Sequence, residues 1–153
     1  MIHGFWSVTE EAMQVRLALL ADYANVTAEG KLNILGTFDH IAVSRFPAIH
    51  PQMQLILRLE ARAAEKDRSH TLEIRLHDPD GKTVFDIKGE MVPRGGGPGE
   101  SVATNQIIGI NNLALEQEGE YTIAVFIDND LKTELPLTVS HIASGRGNPS
   151  ALA

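Results

Sequence analysis

The sequence predicts an all-β fold, an antiparallel β-sandwich of about eight strands. Three observations carry that expectation. Short segments alternate apolar and polar residues with period two, the breaks between them hold turn residues, and helical periodicity is weak throughout.

The clearest strand is Leu72-Glu73-Ile74-Arg75-Leu76-His77. Successive side chains on a strand point to opposite faces, so Leu72, Ile74 and Leu76 share one and Glu73, Arg75 and His77 the other. Met53, Leu55, Leu57 and Leu59 form a second inward row, and Tyr121, Ile123, Val125 and Ile127 a third. Leu131, Leu135, Leu137 and Val139 form a fourth, with Thr133 among them. Val15, Leu17, Leu19, Ala21 and Tyr23 line one face of an early strand. Ala18 and Leu20 make its other face apolar too, which predicts cover on both sides. Lys31 to Val43 starts as a strand in which Gly36 marks a bulge or a close backbone approach. Lys82 to Val92 and Thr104 to Leu115 complete the set.

The connections read as turns. Asp78-Pro79-Asp80-Gly81 joins two strands, because proline presets φ and glycine accepts φ > 0. Asp128-Asn129-Asp130 joins the last two, and Asn25 to Gly30 the first pair. Phe46 to Pro51 reads as a loop, since its prolines lack ladder donors. Pro136 predicts that the last strand is an edge, or bulges there. Ser7 to Glu10 fits a capping box for a short helical turn, and Ala61 to Asp67 a second turn.

The 153 residues suit one domain, here 13–141, with an N-terminal extension (1–12) and a flexible tail (142–153). There is no cysteine, which excludes disulfides, thiolate metal sites and cysteine nucleophiles. A net charge of −7 with scattered basic residues argues against nucleic-acid binding. No apolar run nears the roughly 18–20 residues of a membrane span, and the N-terminus lacks the features of a secretory signal. The expected location is the cytoplasm.

No motif carries catalysis. Pro93 to Ser101 is glycine-rich, but it leads into a strand rather than a helix N-terminus, so it reads as a mobile surface loop, not a phosphate cradle. The six histidines show no metal-ligand spacing. No cofactor is expected. Asp22, Asp39, Glu60 and Asp86 are the candidates for a carboxylate pair in a hydrolase.

The segments Val15 to Asn25 and Gly30-Lys31-Leu32-Asn33-Ile34-Leu35-Gly36 resemble the opening of a bacterial family of uncharacterised small β-rich proteins. Phe46 to Glu60, Leu72 to Gly81 and Gly119 to Leu137 resemble its middle and end. The resemblance implies no activity, cofactor or catalytic residue. Members begin close to Met13, so the resemblance implies that residues 1–12 are an extension particular to this chain or a misplaced start. The last hairpin, Gly-x-Tyr-x-Ile-x-Val, a turn and Leu-Pro-Leu-x-Val, also resembles the closing strands of immunoglobulin-like sandwiches, so the fold expected is immunoglobulin-like or related.

Three functions are open. The first is a binding or interaction module for a protein partner or a second copy. Its contacts would be Phe5 and Trp6, which either dock on this domain or bury in a partner, and Leu135 and Pro136 on the final strand. The second is a small-ligand or carbohydrate-binding sandwich, with Tyr23, Asp39, His40, Asn105 and Asn111 gathered at one end. The third is the hydrolase.

Overall fold

The computed structural model describes residues 13–142. Among these residues nine strands form, β1 (Gln14–Val26), β2 (Leu32–Phe38), β3 (His40–Val43), β4 (Ala48–Ala61), β5 (His70–His77), β6 (Thr83–Met91), β7 (Val102–Leu115), β8 (Gly119–Ile127) and β9 (Asp130–His141). They make two sheets, ordered β2-β1-β4-β7 and β3-β9-β8-β5-β6. All neighbours are antiparallel except β3 and β9, which run parallel. No α-helix forms among the described residues, so none is long and apolar enough to cross a membrane. Phe5, Trp6, the Ser7–Glu10 capping box and the tail beyond Ile142 lie outside the described residues.

The core is where the alternation places it, except that Leu131 of the predicted inward row on β9 is exposed, because the register against β8 shifts between Thr133 and Leu131. Met53, Leu55, Leu57 and Leu59 of the first sheet face Ile74, Leu76, Tyr121, Ile123, Val125, Leu137 and Val139 of the second, and all are buried. The strand order is immunoglobulin-like. β1-β4-β7 and β5-β8-β9 follow the A-B-E and C-F-G runs of that arrangement, with β6 beside β5 in the C′ place. The corner before β8 matches too. The buried Tyr121 hydroxyl donates to the Gln117 carbonyl at 2.7 Å, four residues upstream. This is the tyrosine corner of immunoglobulin-like domains, which satisfies the one polar group of an otherwise apolar core residue.

Two expectations about strands change. The segment Lys31 to Val43 is two strands, not one. The chain leaves the first sheet at Asp39 and joins the second as β3, so nine strands form where about eight were expected. Gly36 marks a close approach. It has φ +69°, and a Cβ there would lie 2.6 Å from Asp22 Oδ2. Pro51 lies inside β4 rather than in a loop. It is tolerated because the ladder to β7 is interrupted at that step: His50 pairs with Leu113 and Gln52 with Asn111, while Pro51 and Asn112 do not pair. Nearby, Asn112 has φ +53°, and Asn111 and Asn112 are both exposed between the buried Ile110 and Leu113. A left-handed residue turns the strand and shifts the phase of its alternation.

The early strand is apolar on both faces, as expected. Leu20 joins the main core, whereas Ala21, Ala24 and the fully buried Ile56 form a second cluster with Leu19, Ile34 and Ile107. Ile56 sits between the core residues Leu55 and Leu57, so this cluster covers the outer face of the first sheet.

The turns behave as their residues require. The Asp78 carboxylate accepts from the amides of Asp80 and Lys82, both at 2.9 Å, and Gly81 has φ +85°. Asp128 and Asn129 both have φ > 0, the backbone of a tight two-residue hairpin. Ala63–Glu65 forms a 3-10 turn, closed by the Arg62 amide donating to Glu65 Oε1 at 2.9 Å. Next to it, the buried His70 places Nε2 2.8 Å from the Glu65 carbonyl and Nδ1 2.7 Å from Asp128 Oδ2.

Candidate binding cleft

β9 is flanked by β8 from Asp130 to Val139 but by β3 only from Thr138 to His141. The Thr138 amide donates to the Asp39 carbonyl at 2.9 Å, so even-numbered residues here turn their backbone groups away from β8. Two residues earlier, Pro136 has no N–H to offer on that side. The missing donor therefore falls where no strand pairs among the described residues, which resolves the edge expectation: among them, β9 is an edge over its first half only. The register shift against β8 lies opposite Leu131 to Thr133, not at Pro136.

Beside this open half runs a cleft of about 510 Å³. Thr133, Glu134, Leu135 and Pro136 form one wall. Ala18 to Leu20 and Thr37 to Asp39 form the other. Its lining holds two carboxylates, Asp39 and Glu134, and no basic side chain. Across Phe38 lies a second depression of about 380 Å³, lined by Asp22, Gly36, His40 and His50 among others. His50 Nε2 is buried there without a hydrogen-bond partner. The His40 Nε2 and Ser140 Oγ atoms are 2.5 Å apart, which ties β3 to β9.

The cleft thus gathers Leu135, Pro136 and Asp39, with His40 in the adjoining depression. Tyr23 is exposed on β1 opposite Leu35, and lines neither. Asn105 and Asn111 lie on β7, at the far edge of the first sheet, six positions apart and hence about 20 Å along the strand. Asn105 accepts a hydrogen bond from Arg58 at 2.9 Å. The walls Ala18–Leu20 and Thr37–Phe38 carry no signal in the sequence, because they meet β9 only through the passage of the chain between sheets at Asp39.

The carboxylates are dispersed. Glu60 pairs with Arg16 at 2.6 Å, Asp22 lies against Gly36, and Asp39 lines the cleft. Asp86 interacts with Glu73 on the outer face of β5 and β6. Glu73 is buried, and Arg75 Nε donates to it at 2.7 Å while stacking 4.5 Å from the Phe126 ring centroid. The Arg75 hydrogen bond holds Glu73 below the usual glutamate range, and the hydrogen bond to Glu73 pushes Asp86 above the usual aspartate range. A carboxylic acid raised on folding stabilises the fold at low pH and loses that contribution as pH rises through its folded value. Asp86→Asn, which keeps a donor without ionising, is therefore expected to raise the urea midpoint at pH 7. Below the ordinary aspartate range it should leave the midpoint unchanged. A lowered midpoint at pH 7 would show that the Arg75–Asp86 attraction dominates instead.

Among the described residues no group of three histidine, aspartate or glutamate side chains is placed to hold a metal ion. The glycine-rich loop presents carbonyls rather than amides to its surroundings. Lys66 Nζ donates to the carbonyls of Gly95 and Gly97 at 3.1 and 2.8 Å, the opposite polarity to a phosphate cradle.

Fold and cleft together define an immunoglobulin-like β-sandwich with a part-open edge strand. Residues 16–140 match a family of unknown function (DUF6941), and the chain belongs to that family. No curated protein matches it. Among solved structures, an immunoglobulin-like protein from Pseudomonas aeruginosa is similar at 14% identity and a TM-score of 0.41, over 84% of this chain and 96% of that one. An alkylpurine DNA glycosylase from Pseudomonas fluorescens, bound to DNA containing an abasic site analogue, is similar at 8% identity and a TM-score of 0.44. That likeness covers 83% of this chain, which spans 30% of the glycosylase chain. At these scores neither says what this chain does.

Proposed function

We propose that this domain is a non-catalytic binding module that takes an extended peptide segment of a protein partner along the open half of β9. One observation carries the reading: the cleft of about 510 Å³ runs beside backbone groups of β9 that pair with no strand among the described residues. An added strand satisfies such groups, and pockets for alternate side chains select it. Leu19, Phe38 and Leu135 supply apolar contact, and Asp39 and Glu134 favour a segment that carries a lysine or arginine.

Selection of random displayed peptides on the full chain would supply a probe. Titrating that peptide into ¹⁵N-labelled protein should shift the amides of Thr37 to Asp39 and Thr133 to Leu135. Glu134→Pro removes the remaining amide donor on this side without touching the ladder to β8, and should weaken binding at least tenfold. Glu134→Gln separates the loss of charge from the loss of the donor. Shifts confined to another face, or full affinity in Glu134→Pro, would sink the reading.

A further inference from the structure

The second feature is β7. Among the described residues the sheets end in four edge strands, β2 and β7 in one and β3 and β6 in the other. Three are protected in ordinary ways. β3 has four residues, β2 has seven and is turned at Gly36, and β6 carries Asp86, Lys88 and Glu90. β7 has fourteen residues and contains no charged residue and no proline. It is by far the longest of the four edges to lack both.

The surroundings of β7 favour a neighbour as well. A narrow groove of about 140 Å³ runs between its edge and that of β6, lined mainly by the apolar Leu72, Ile74, Ile87, Met91 and Ile108, with Lys88, Glu90 and Gln106 also on its walls. It opens where the two sheets part, so water reaches side chains that belong to the core. A strand added to β7 would cover it and gain apolar burial in addition to backbone bonds.

We infer that β7 pairs antiparallel with β7 of a second copy, joining two four-stranded sheets into one across a two-fold axis. Charge and side-chain chemistry select the occupant. Like charges directly opposite each other oppose the pairing of any strand with itself, and β7 has none. Its polar side chains around the centre, Asn105, Gln106 and Asn111, are amides. An amide both donates and accepts, so it is its own complement across a two-fold, as a carboxylate or ammonium is not. The contact is isologous and closes on itself, so assembly stops at two. This surface lies at the opposite edge of the first sheet from β2, which borders the cleft, and it stands or falls independently of the peptide reading.

Gly109 supplies the test. It is exposed at the middle of β7, and a Cβ there would meet nothing nearer than Asn111 Nδ2 at 4.0 Å. Gly109→Lys should therefore fold while placing a lysine, a common protection of natural edges, at the interface. Light scattering after size exclusion should give wild type and Gly109→Ala about twice the 16.7 kDa of one chain, and Gly109→Lys a single mass with unchanged circular dichroism. Should that variant misfold, Ala103→Lys, also exposed on β7, replaces it and should give the single mass. The wild-type dimer should strengthen from low to physiological salt, as screening relieves the repulsion of two acidic chains. A monomeric wild type, open-ended oligomers, or a folded lysine variant that stays dimeric would overturn the inference.

Discussion

Gly119→Ala is expected to destabilise the domain by about 2–5 kcal/mol, the sum of a strained backbone and an overpacked contact. Gly119 opens β8 with φ +137°, a region that side chains with a Cβ rarely adopt. An added Cβ would also lie 2.6 Å from Pro79 Cγ and 2.9 Å from Pro79 Cβ. Both atoms belong to a rigid ring whose turn is pinned by Asp78 and held to the same corner by Gln117 Nε2 donating to Asp80 at 3.0 Å. The clash therefore cannot be relieved by rotating a side chain. The melting temperature should fall by about 5–15 °C for a domain of this size. Gly30→Ala is the comparison, since Gly30 has φ +84° but nothing within 4 Å of its Cβ position. If calorimetry finds the two variants equally destabilised, the packing of Pro79 on Gly119 contributes nothing.

His70→Ala should be nearly as costly and should also change how stability depends on pH. Both partners of His70 only accept: a backbone carbonyl at Nε2 and an ionised carboxylate at Nδ1. Both bonds are made together only when the ring is an imidazolium. Burial alone would lower its pKa, but the hydrogen bonds to Asp128 and the Glu65 carbonyl outweigh that and raise it. Burial likewise acts to raise Asp128, and the hydrogen bonds from His70 and the Thr71 amide outweigh it and hold it low. The signs differ. A raised histidine contributes fully below its unfolded value and loses that contribution as pH climbs through the folded one. A depressed aspartate contributes above its unfolded value and loses that contribution as pH falls through the folded one. The clasp is thus complete between the depressed Asp128 value and the raised His70 value.

Half of the Asp128 side chain is exposed, so solvent screens its share, and the loss falls mainly on the Glu65 carbonyl and the space left by the ring. Removing the ring should cost about 2–3 kcal/mol in the middle of that window. Urea midpoints against pH should show the difference between wild type and variant shrinking at both ends. A difference constant across pH would mean that the ring acts by packing alone.

The alternation of small apolar and polar residues made most of the sandwich legible. A strand with one buried face writes its orientation into its composition, so β4 from Met53 onward, β5 and β8 could be read side chain by side chain, whereas on β9 the reading fails at Leu131, which the register shift before Thr133 leaves exposed. The hairpin turns were legible for a similar reason, because Asp78 to Gly81 and Asp128–Asn129 need backbone angles that few residues accept. The split at Asp39 was not legible. No proline or glycine stands there, and the residues after it are as apolar as those before, so nothing local records that the chain changes sheet. Pro51 misled because the cost of a proline depends on whether a neighbour needs its N–H, and the ladder to β7 skips a step where Pro51 faces the left-handed Asn112. The cleft shares this limit. Leu135 and Pro136 could be picked out by strand chemistry, but the opposite wall came from 100 residues away in sequence. Asn105 and Asn111 stood out as amides on a strand, yet only strand order puts them at the edge remote from Asp39.

The passage of the chain from β2 to β3 also has a mechanical side. β3 and β9 run parallel, with His40 beside Thr138 and Val43 beside His141. β3 follows the N-terminal strands, and the chain leaves β9 at its far end. Tension between Met13 and Ile142 that reaches this pair pulls the two strands lengthwise in opposite directions. Their hydrogen bonds then share the load together instead of opening one after another. The four residues of β3 give the core Ile41 and part of Val43, and they also stand where a force along the chain would have to shear the domain before it could unzip it.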